Sequence, residues 1–202
     1  MDLYSLLDEI QAIARDGLAF SSDLYDRERY ERLLVLATQA YSELLDVPEG
    51  KLRERFLKEL GYITPKVGVD AAIFNPGGEI LLMERVDGTG WCMPCGWIEP
   101  NERPREAVVR EVREETGLEV EVKQFVGAFT SLPGAERGPH TKIALVHICQ
   151  IAGGEFRLSH EGLDLRYWPI EEVPEWLDFH KRCAMAAYER WQSESLLPAI
   201  SD

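Results

Sequence analysis

The sequence lacks an apolar run long enough to cross a membrane, and its first ten residues lack the basic segment typical of a signal peptide. No stretch of the 202 residues approaches the roughly 18 consecutive apolar residues that a membrane-spanning helix requires. The opening segment, MDLYSLLDEI, has no basic part of the kind that precedes the apolar core of a signal peptide. These two absences predict a cytoplasmic protein.

Positive charge is scarce. Lys and Arg together number 22 against 36 Asp and Glu, which gives a formal net charge of -14. So large a negative charge argues against nucleic acid and against an anionic membrane as partners. Apolar residues make up 45% of the chain, which is enough for a normal core in one substantial domain and a smaller one.

Cysteine is scarce as well. The four cysteines are too few and too scattered for a disulfide framework: Cys92, Cys95, Cys149 and Cys183. The first two form a C-x-x-C pair, but the absence of a second pair or a neighbouring histidine disfavours zinc or redox chemistry. The histidines show no metal-ligand spacing and are expected to be ordinary residues: His140, His147, His160 and His180.

Helical periodicity dominates the first third of the chain. Apolar residues recur at helical spacing in residues 2–16, 26–45 and 49–60, and Gly17 is a candidate cap for the end of the first helix. Near residue 62 the period becomes alternating, which predicts a helical region at 1–62 and a second domain at 66–192. The apolar helix faces must form a bundle, cover the second domain or pair with a second subunit.

The second domain mixes strands with helices. Strands are predicted at residues 67–74, 79–86, 118–129 and 141–151, helices at 104–116, 171–177 and 179–191, and a frayed tail from 193. This order predicts an α/β fold in which a mixed sheet lies between helices.

The helix that begins at residue 104 carries three glutamates on its core-facing side. At about 100° per residue, Glu111, Glu114 and Glu115 share the arc that carries Ala107 and Val108. Ionised carboxylates on a half-buried face repel one another and lose hydration energy unless a cation lies between them. Carboxylate oxygens are suitable ligands for Mg²⁺, Mn²⁺ or Ca²⁺, so the pattern favours a metal site.

The same helix also permits a simpler interpretation. Runs of mixed charge are common on solvated helices, where i,i+4 ion pairs stabilise them. Glu106, Arg110 and Arg113 are expected on the exposed side. The helix pattern alone leaves both interpretations open.

The wider stretch from residue 96 to 118 decides between them, because it resembles the Nudix hydrolase signature, Gly-x5-Glu-x7-Arg-Glu-U-x-Glu-Glu-x-Gly-U, where U is apolar. Every fixed position is filled: Gly96, Glu102, Arg110, Glu111, Val112, Glu114, Glu115, Gly117 and Leu118. Just before it, where the family usually has Trp-x-x-Pro-Gly-Gly, Cys95 replaces the first glycine. If that position requires a positive φ, Cys95 is expected to be strained.

The resemblance implies a Nudix α/β/α sandwich and an enzyme that uses Mg²⁺ or Mn²⁺ to cleave a nucleoside diphosphate linked to another group. It implies that Glu111, Glu114 and Glu115 bind metal, with Glu102 and Gly96 completing the metal site. It also implies that Arg110 braces the loop with Glu102 and contributes to catalysis, as does Glu114.

Three residues outside the helix are further candidates for the site. Glu161, on a loop, is a candidate base for the attacking water, although an ordinary solvated acid is an equal alternative. Arg85, at the end of a predicted strand, is a candidate for binding phosphate, with an ordinary solvated arginine as the alternative. Trp97 is a candidate for substrate binding, because relatives that act on CDP-choline or ADP-ribose carry a similar aromatic after the signature glycine; a packing tryptophan is the alternative.

The substrate ranking comes from the front of the chain. The helical region resembles the N-terminal part of Nudix enzymes that hydrolyse ADP-ribose or CDP-choline and are typically dimers, so we expect a homodimer acting on one of these substrates. A nucleoside triphosphate pyrophosphohydrolase and a non-catalytic regulator that binds nucleotide sugars remain alternatives.

Overall fold

The computed structural model describes residues 2–134, 138–193 and 197–202. Within these ranges the elements, in chain order, are α1 (Leu3–Phe20), α2 (Leu24–Leu45), α3 (Glu49–Leu57), β1 (Lys66–Ile73), β2 (Ile80–Arg85), β3 (Trp91–Cys92), β4 (Cys95–Trp97), α4 (Pro104–Thr116), β5 (Leu118–Ser131), β6 (Lys142–Gly154), β7 (Gly162–Trp168), α5 (His180–Gln192) and β8 (Ile200–Ser201). Among the described helices, none combines the length and the apolar character that crossing a membrane demands.

The chain forms two compact units. One comprises Met1–Lys66 and Ser131–Lys142, and the other comprises Val67–Thr130 and Ile143–Asp202. The domain limits drawn from the sequence, 1–62 and 66–192, stay a proposal, and they include Met1 and residues 135–137, which lie outside the described part of the chain.

The first unit is built on the three predicted helices, which are confirmed. Asp2 and Asp23 cap the N-termini of α1 and α2, because their side chains accept hydrogen bonds from the backbone N–H groups of Ser5 and Asp26, each at 2.9 Å. The inward faces of the helices form one apolar core: Leu7, Ala14, Leu18, Leu34, Tyr41, Leu52 and Phe56.

Gly17 does not end the first helix, so that prediction is wrong. α1 continues to Phe20, and the N–H of Ser21 donates to the carbonyl oxygen of Gly17 at 2.9 Å. A Cβ atom on Gly17 would overlap the ring of Tyr30 on α2. The glycine is therefore required for the close packing of α1 on α2 and not for a turn.

The second unit contains a five-stranded sheet in the order β4-β1-β6-β5-β8 and a three-stranded sheet in the order β3-β2-β7. The larger sheet is mixed, since β1 pairs antiparallel with β4 and β5 pairs parallel with β8. β2 pairs antiparallel with both β3 and β7.

Helices cover the two faces of the larger sheet. Val69, Ala71 and Ile73 of β1 pack with Val108 and Val112 of α4. The residue between them in the strand, Ala72, packs in a separate cluster with residues of α5: Cys183, Ala184, Ala186 and Ala187. Alternation along β1 thus places α4 on one face and α5 on the other, which confirms the predicted α/β/α sandwich with a mixed sheet.

Two predicted segments differ from the structure. The helix expected at 171–177 is limited to a 3₁₀ turn at Ile170–Glu172. Pro174 cannot donate within a helix, and the chain beyond it pairs with β3 instead, because the N–H of Trp91 donates to Glu175 O and that of Leu177 to Trp91 O, each at 2.9 Å. The tail expected to fray from 193 includes residues 194–196, which lie outside the described ranges, but its end forms β8.

We predict that Gly17→Ala lowers the free energy of unfolding by about 1–3 kcal/mol, because the added methyl group forces α1 away from α2. Gly50→Ala is the matched control, since Gly50 lies in α3 with no atom within 4 Å of an added Cβ. It should instead raise the free energy of unfolding by up to about 1 kcal/mol. Urea denaturation of both variants measures this, and equal effects would contradict the packing role of Gly17.

Candidate active site

Helix α4 carries the signature glutamates, and its ends are fixed by sequence. Pro104 occupies the first turn, and the carboxylate of Glu106 accepts a hydrogen bond from the N–H of Arg103 at 3.1 Å. At the other end Gly117 adopts φ 73°, the left-handed conformation that glycine allows at low energy. The glycine stop predicted from sequence is confirmed.

The three glutamates of this helix differ in burial. The Glu115 residue is 4% exposed, while the side chains of Glu111 and Glu114 are 13% and 53% exposed. Two carboxylates therefore lie against the protein interior and the third reaches solvent. Such a graded set gives a bound ion an oxygen-lined wall on one side and access from water on the other.

Arg110 donates hydrogen bonds to two of these carboxylates and to Glu102. Its Nε and Nη2 atoms donate to the two carboxylate oxygens of Glu102 at 2.8 and 2.9 Å. Its Nη1 atom donates to Glu111 at 2.7 Å and to Glu114 at 3.1 Å. The expectation that Arg110 lies on the exposed side is wrong, because its side chain is only 19% exposed.

Arg110 also fixes the preceding loop. Its Nη2 atom donates to the carbonyl oxygen of Trp97 at 3.0 Å. Glu102 in turn accepts a hydrogen bond from the N–H of Glu99 at 3.0 Å. Both oxygens of Glu102 thus accept hydrogen bonds from the loop or from the helix. This arrangement suits Glu102 to holding the loop against the helix better than to binding a metal ion.

Strand β4 holds the buried glutamates from the other side. A Cβ atom on Gly96 would overlap the carboxyl group of Glu111, so only glycine leaves room for it. The N–H of Cys95 donates to Glu115 at 2.8 Å. The sequence gives no signal for this last contact, because it depends on a backbone atom.

The strain expected at Cys95 is absent. Cys95 is part of a β-strand paired with Asp70 on β1, and its φ is not positive. Extended backbone is open to any residue. The cysteine therefore replaces the usual glycine without a conformational penalty.

The electrostatics of the cluster divide its carboxylates into two groups. The hydrogen bonds from Arg110 lower the pKa of Glu102 to about 2. Burial raises the pKa of Glu115 to about 8, and it also raises the pKa of Glu111. Glu102 is therefore a firm anion, whereas burial opposes the ionisation of Glu111 and Glu115.

A divalent cation would supply positive charge beside these carboxylates. Glu111, Glu114 and Glu115 supply hard oxygen donors, Gly96 leaves the space that the Glu111 carboxyl occupies, and the buried carboxyl of Glu115 has a pKa that an adjacent cation would lower. The residues present fit Mg²⁺ or Mn²⁺.

Arg85 and Glu161, which are far apart in sequence, lie together in the structure. Arg85 Nη1 is 3.7 Å from a carboxylate oxygen of Glu161, and its Nε and Nη2 atoms donate to Asp87 at 3.1 and 3.0 Å. The charge of Glu161 raises the pKa of Glu115 and the charge of Arg85 lowers it, although burial is the main cause of its shift. Asp87 is a partner of Arg85 that sequence reasoning did not identify.

Trp97 lies at the end of β4, and 54% of it is exposed. Its backbone is held by Arg110, but its ring is accessible. An exposed tryptophan on a fixed backbone is free to contact a ligand.

Comparison with known families accounts for most of the chain. The NUDIX domain family model matches residues 64–188. A second family, described as "UDP-X-like, N-terminal oligomerisation domain", matches residues 1–56.

Individual proteins give a similar picture. YjhB of Bacillus subtilis (strain 168), named "Putative ADP-ribose pyrophosphatase", is 31% identical over 166 residues, which cover 82% of this chain and 79% of YjhB. The ADP-ribose pyrophosphatase of Methanocaldococcus jannaschii is 32% identical over 146 residues, covering 70% and 84% of the two chains. The crystal structure of a UDP-X diphosphatase superimposes with a TM-score of 0.58 at 26% identity, covering 93% of this chain and 92% of that one.

We predict that the metal-free protein loses stability relative to Glu115→Gln as pH rises. The folded protein keeps a proton on Glu115 up to pH about 8, whereas the unfolded chain loses it near 4.5. The free energy of unfolding therefore falls between these pH values, by an amount on the order of a few kcal/mol, and glutamine removes this effect.

Urea denaturation in EDTA, from about pH 5 to about pH 9, measures the difference between the two proteins. Glu121→Gln is the control, because the hydrogen bond from Lys123 lowers the pKa of Glu121. The free energy of unfolding of this variant should therefore not rise relative to that of the wild-type protein as pH increases. If the difference in free energy of unfolding between the wild-type protein and Glu115→Gln does not change with pH, the raised pKa of Glu115 is contradicted.

Proposed function

This chain belongs to the NUDIX family of hydrolases, and we propose that it uses Mg²⁺ or Mn²⁺ to hydrolyse a nucleoside diphosphate linked to another group, with ADP-ribose as the first candidate. The observation that carries the proposal is the arrangement of Glu111, Glu114 and Glu115 around one side of α4, where Glu115 is buried, Glu111 is largely buried, and burial raises the pKa of both. Relatives named as ADP-ribose pyrophosphatases support the substrate class.

In this proposal the three glutamates hold the cation. When bound, the metal would act as a Lewis acid on the diphosphate oxygens and lower the pKa of a coordinated water. Arg110 and Glu102 keep the loop and the helix at a fixed separation through their paired hydrogen bonds. The N–H of Cys95 orients the Glu115 carboxylate toward the site.

Glu161 is our candidate for the group that accepts the proton of the attacking water. Its side chain is 48% exposed, so water reaches it, and Arg85 stands beside it. Arg85 is the candidate contact for substrate phosphate. Because it already pairs with Asp87 and Glu161, phosphate binding would require it to exchange one of these partners.

Specificity must come from the groups that flank the diphosphate. The Trp97 ring is exposed and suits stacking on a base or a sugar. A triphosphate would bring additional negative charge to a chain with a net charge of -14, which favours a diphosphate substrate. The crystal structure of a UDP-X diphosphatase concerns the same general class, a nucleoside diphosphate joined to another group.

CDP-choline is the second candidate substrate. A nucleoside triphosphate pyrophosphohydrolase would use the same carboxylates with a different pocket, and a non-catalytic regulator that binds nucleotide sugars would not need them. The complete signature from Gly96 to Leu118 favours an enzyme over a regulator.

We predict that activity is lost in EDTA and returns with Mg²⁺ or Mn²⁺. Glu114→Gln and Glu115→Gln should each lower kcat by at least about 100-fold with the fold intact, because charge stabilisation of the transition state is lost. Glu106→Gln, an exposed change on the same helix, is the control and should retain activity. Normal turnover by both site variants, or full activity in EDTA, would refute the metal site.

We predict that ADP-ribose yields AMP and ribose 5-phosphate, one water being consumed for each diphosphate bond broken. CDP-choline would yield CMP and phosphocholine by the same chemistry. Chromatography of products from ADP-ribose, CDP-choline and a panel of triphosphates tests the ranking. Preferred conversion of a triphosphate into a monophosphate and pyrophosphate would overturn it while leaving the metal site in place.

We further propose that the chain is a homodimer through its helical region. The oligomerisation family match at residues 1–56 and exposed apolar side chains on α1 and α2, among them Leu6, Ile13 and Leu36, support this. Light scattering after gel filtration should give twice the chain mass of 23.0 kDa, and removal of residues 1–60 should give a monomer or aggregate. An equally active truncation with unchanged oligomeric state would contradict it.

A further inference from the structure

A second cluster of possible metal ligands lies on the other face of the sheet from the signature glutamates. Asp70 on β1, Cys95 on β4 and His180 at the start of α5 each offer one donor atom, and these three atoms lie within 4.8 Å of one another. We propose that these three residues form a binding site for a thiophilic divalent cation, with Zn²⁺ as the ion that suits the donor set.

The placement of the cluster follows from the strand pairing. Asp70 is opposite Cys95 in the antiparallel pair of β1 and β4, so their side chains share a face. Along β1, Asp70 alternates with Val69 and Ala71, which pack on the α4 side. The site therefore faces α5, whose first residue is His180.

Burial and hydrogen bonding single out the histidine. His180 is 6% exposed, and its Nδ1 atom has no hydrogen-bond partner within the described part of the chain. The nearest acidic atom is an Asp70 carboxylate oxygen at 3.9 Å, beyond hydrogen-bond range. A buried imidazole nitrogen that lacks a hydrogen bond and belongs to a cluster with a carboxylate and a thiol is in the position of a ligand.

The spacing of the donor atoms is slightly wider than a bound zinc ion requires. Zinc bonds of about 2.0–2.3 Å in tetrahedral geometry place neighbouring donor atoms about 3.5 Å apart. The separation between His180 Nδ1 and Asp70 is 3.9 Å and all three donor atoms lie within 4.8 Å of one another, so zinc binding would draw them together by up to about 1.3 Å. Three protein ligands leave a fourth position for water, as in zinc sites that are not closed by protein.

Charge also balances in the proposed site. Zinc would bind Cys95 as a thiolate, and the thiol proton would pass to solvent. His180 would bind through a neutral nitrogen lone pair, and Asp70 through its carboxylate. One dication with two anionic ligands has no net charge, which lowers the cost of placing it in a buried site.

The mixed donor set separates this site from the glutamate cluster. Carboxylates select hard ions such as Mg²⁺ and Mn²⁺, while a thiolate with an imidazole selects Zn²⁺ or Co²⁺. Cys95 connects the two, because its N–H holds Glu115 on the α4 side while its thiol belongs to the α5 side. The cysteine that replaces the usual glycine of the signature loop would thus gain a specific role.

Co²⁺ is the probe for this site, because a cobalt–thiolate bond produces a near-ultraviolet charge-transfer band that carboxylates cannot produce. The full chain, reduced and stripped with a chelator, is titrated with Co²⁺ in excess Mg²⁺, which occupies the glutamates. We expect the band to saturate at one equivalent per chain and to disappear when Zn²⁺ is added. Absence of the band in the wild-type protein would overturn the proposal whatever the variants do.

Variants assign the band to its residues. Cys95→Ala, His180→Ala and Asp70→Asn should each weaken Co²⁺ binding by at least about 100-fold. Cys149→Ala is the control, since Cys149 is a free cysteine that lies buried in the separate cluster beneath α4. Circular dichroism identifies any variant that fails to fold. Unchanged affinity in folded Cys95→Ala would refute the site.

A second measurement needs no variant. Cys95 is partly exposed, so alkylation followed by mass spectrometry of its peptide reports whether its thiol is free. One equivalent of Zn²⁺ in excess Mg²⁺ should slow alkylation of Cys95 in the wild-type protein at least about 10-fold. An unchanged rate would contradict a bond between zinc and this thiol.

Discussion

The guanidinium of Arg110 donates to three carboxylates and one backbone carbonyl, and the geometry of the candidate active site depends on these bonds. The paired contact with Glu102 at 2.8 and 2.9 Å fixes the signature loop against α4. Paired hydrogen bonds between arginine and a carboxylate are strong and directional. The third nitrogen of the guanidinium, Nη1, donates to Glu111 and Glu114, so Arg110 positions both Glu102 and two of the three proposed ligands.

Arg110 does not neutralise the whole cluster. Glu115 accepts a hydrogen bond from the backbone N–H of Cys95 and not from the guanidinium of Arg110. The pKa of Glu115 is raised because its side chain is buried. The carboxylates are held in place by several hydrogen bonds, but they carry more negative charge than Arg110 balances. Such a site can accept a cation without further rearrangement. Gly96 leaves room for the Glu111 carboxyl, and the rigidity comes from a helix and a strand, which hold side chains more accurately than loops do.

Local patterns in the sequence account for the main architecture but not for contacts between distant residues. The proline and glycine at the two ends of α4 fix its limits, and strand alternation gives β1, β2, β5 and β6. The packing of Gly17 on Tyr30, the burial of Arg110 and the pairing of residues 175–177 with Trp91 each depend on a neighbour far along the chain. The meeting of Asp70, Cys95 and His180 is of the same kind, since no spacing rule relates residues that come from two strands and a helix.

The central claim is that the carboxylates of α4 hold the divalent cation while Arg110 keeps them in place. Crystals soaked in Mn²⁺ and measured for its anomalous scattering test this directly. The account predicts a manganese peak within coordination distance of Glu111, Glu114 and Glu115, with the bonds between Arg110 and Glu102 preserved. A structure with no peak at these carboxylates, or with manganese bound at other residues of the chain, would contradict it.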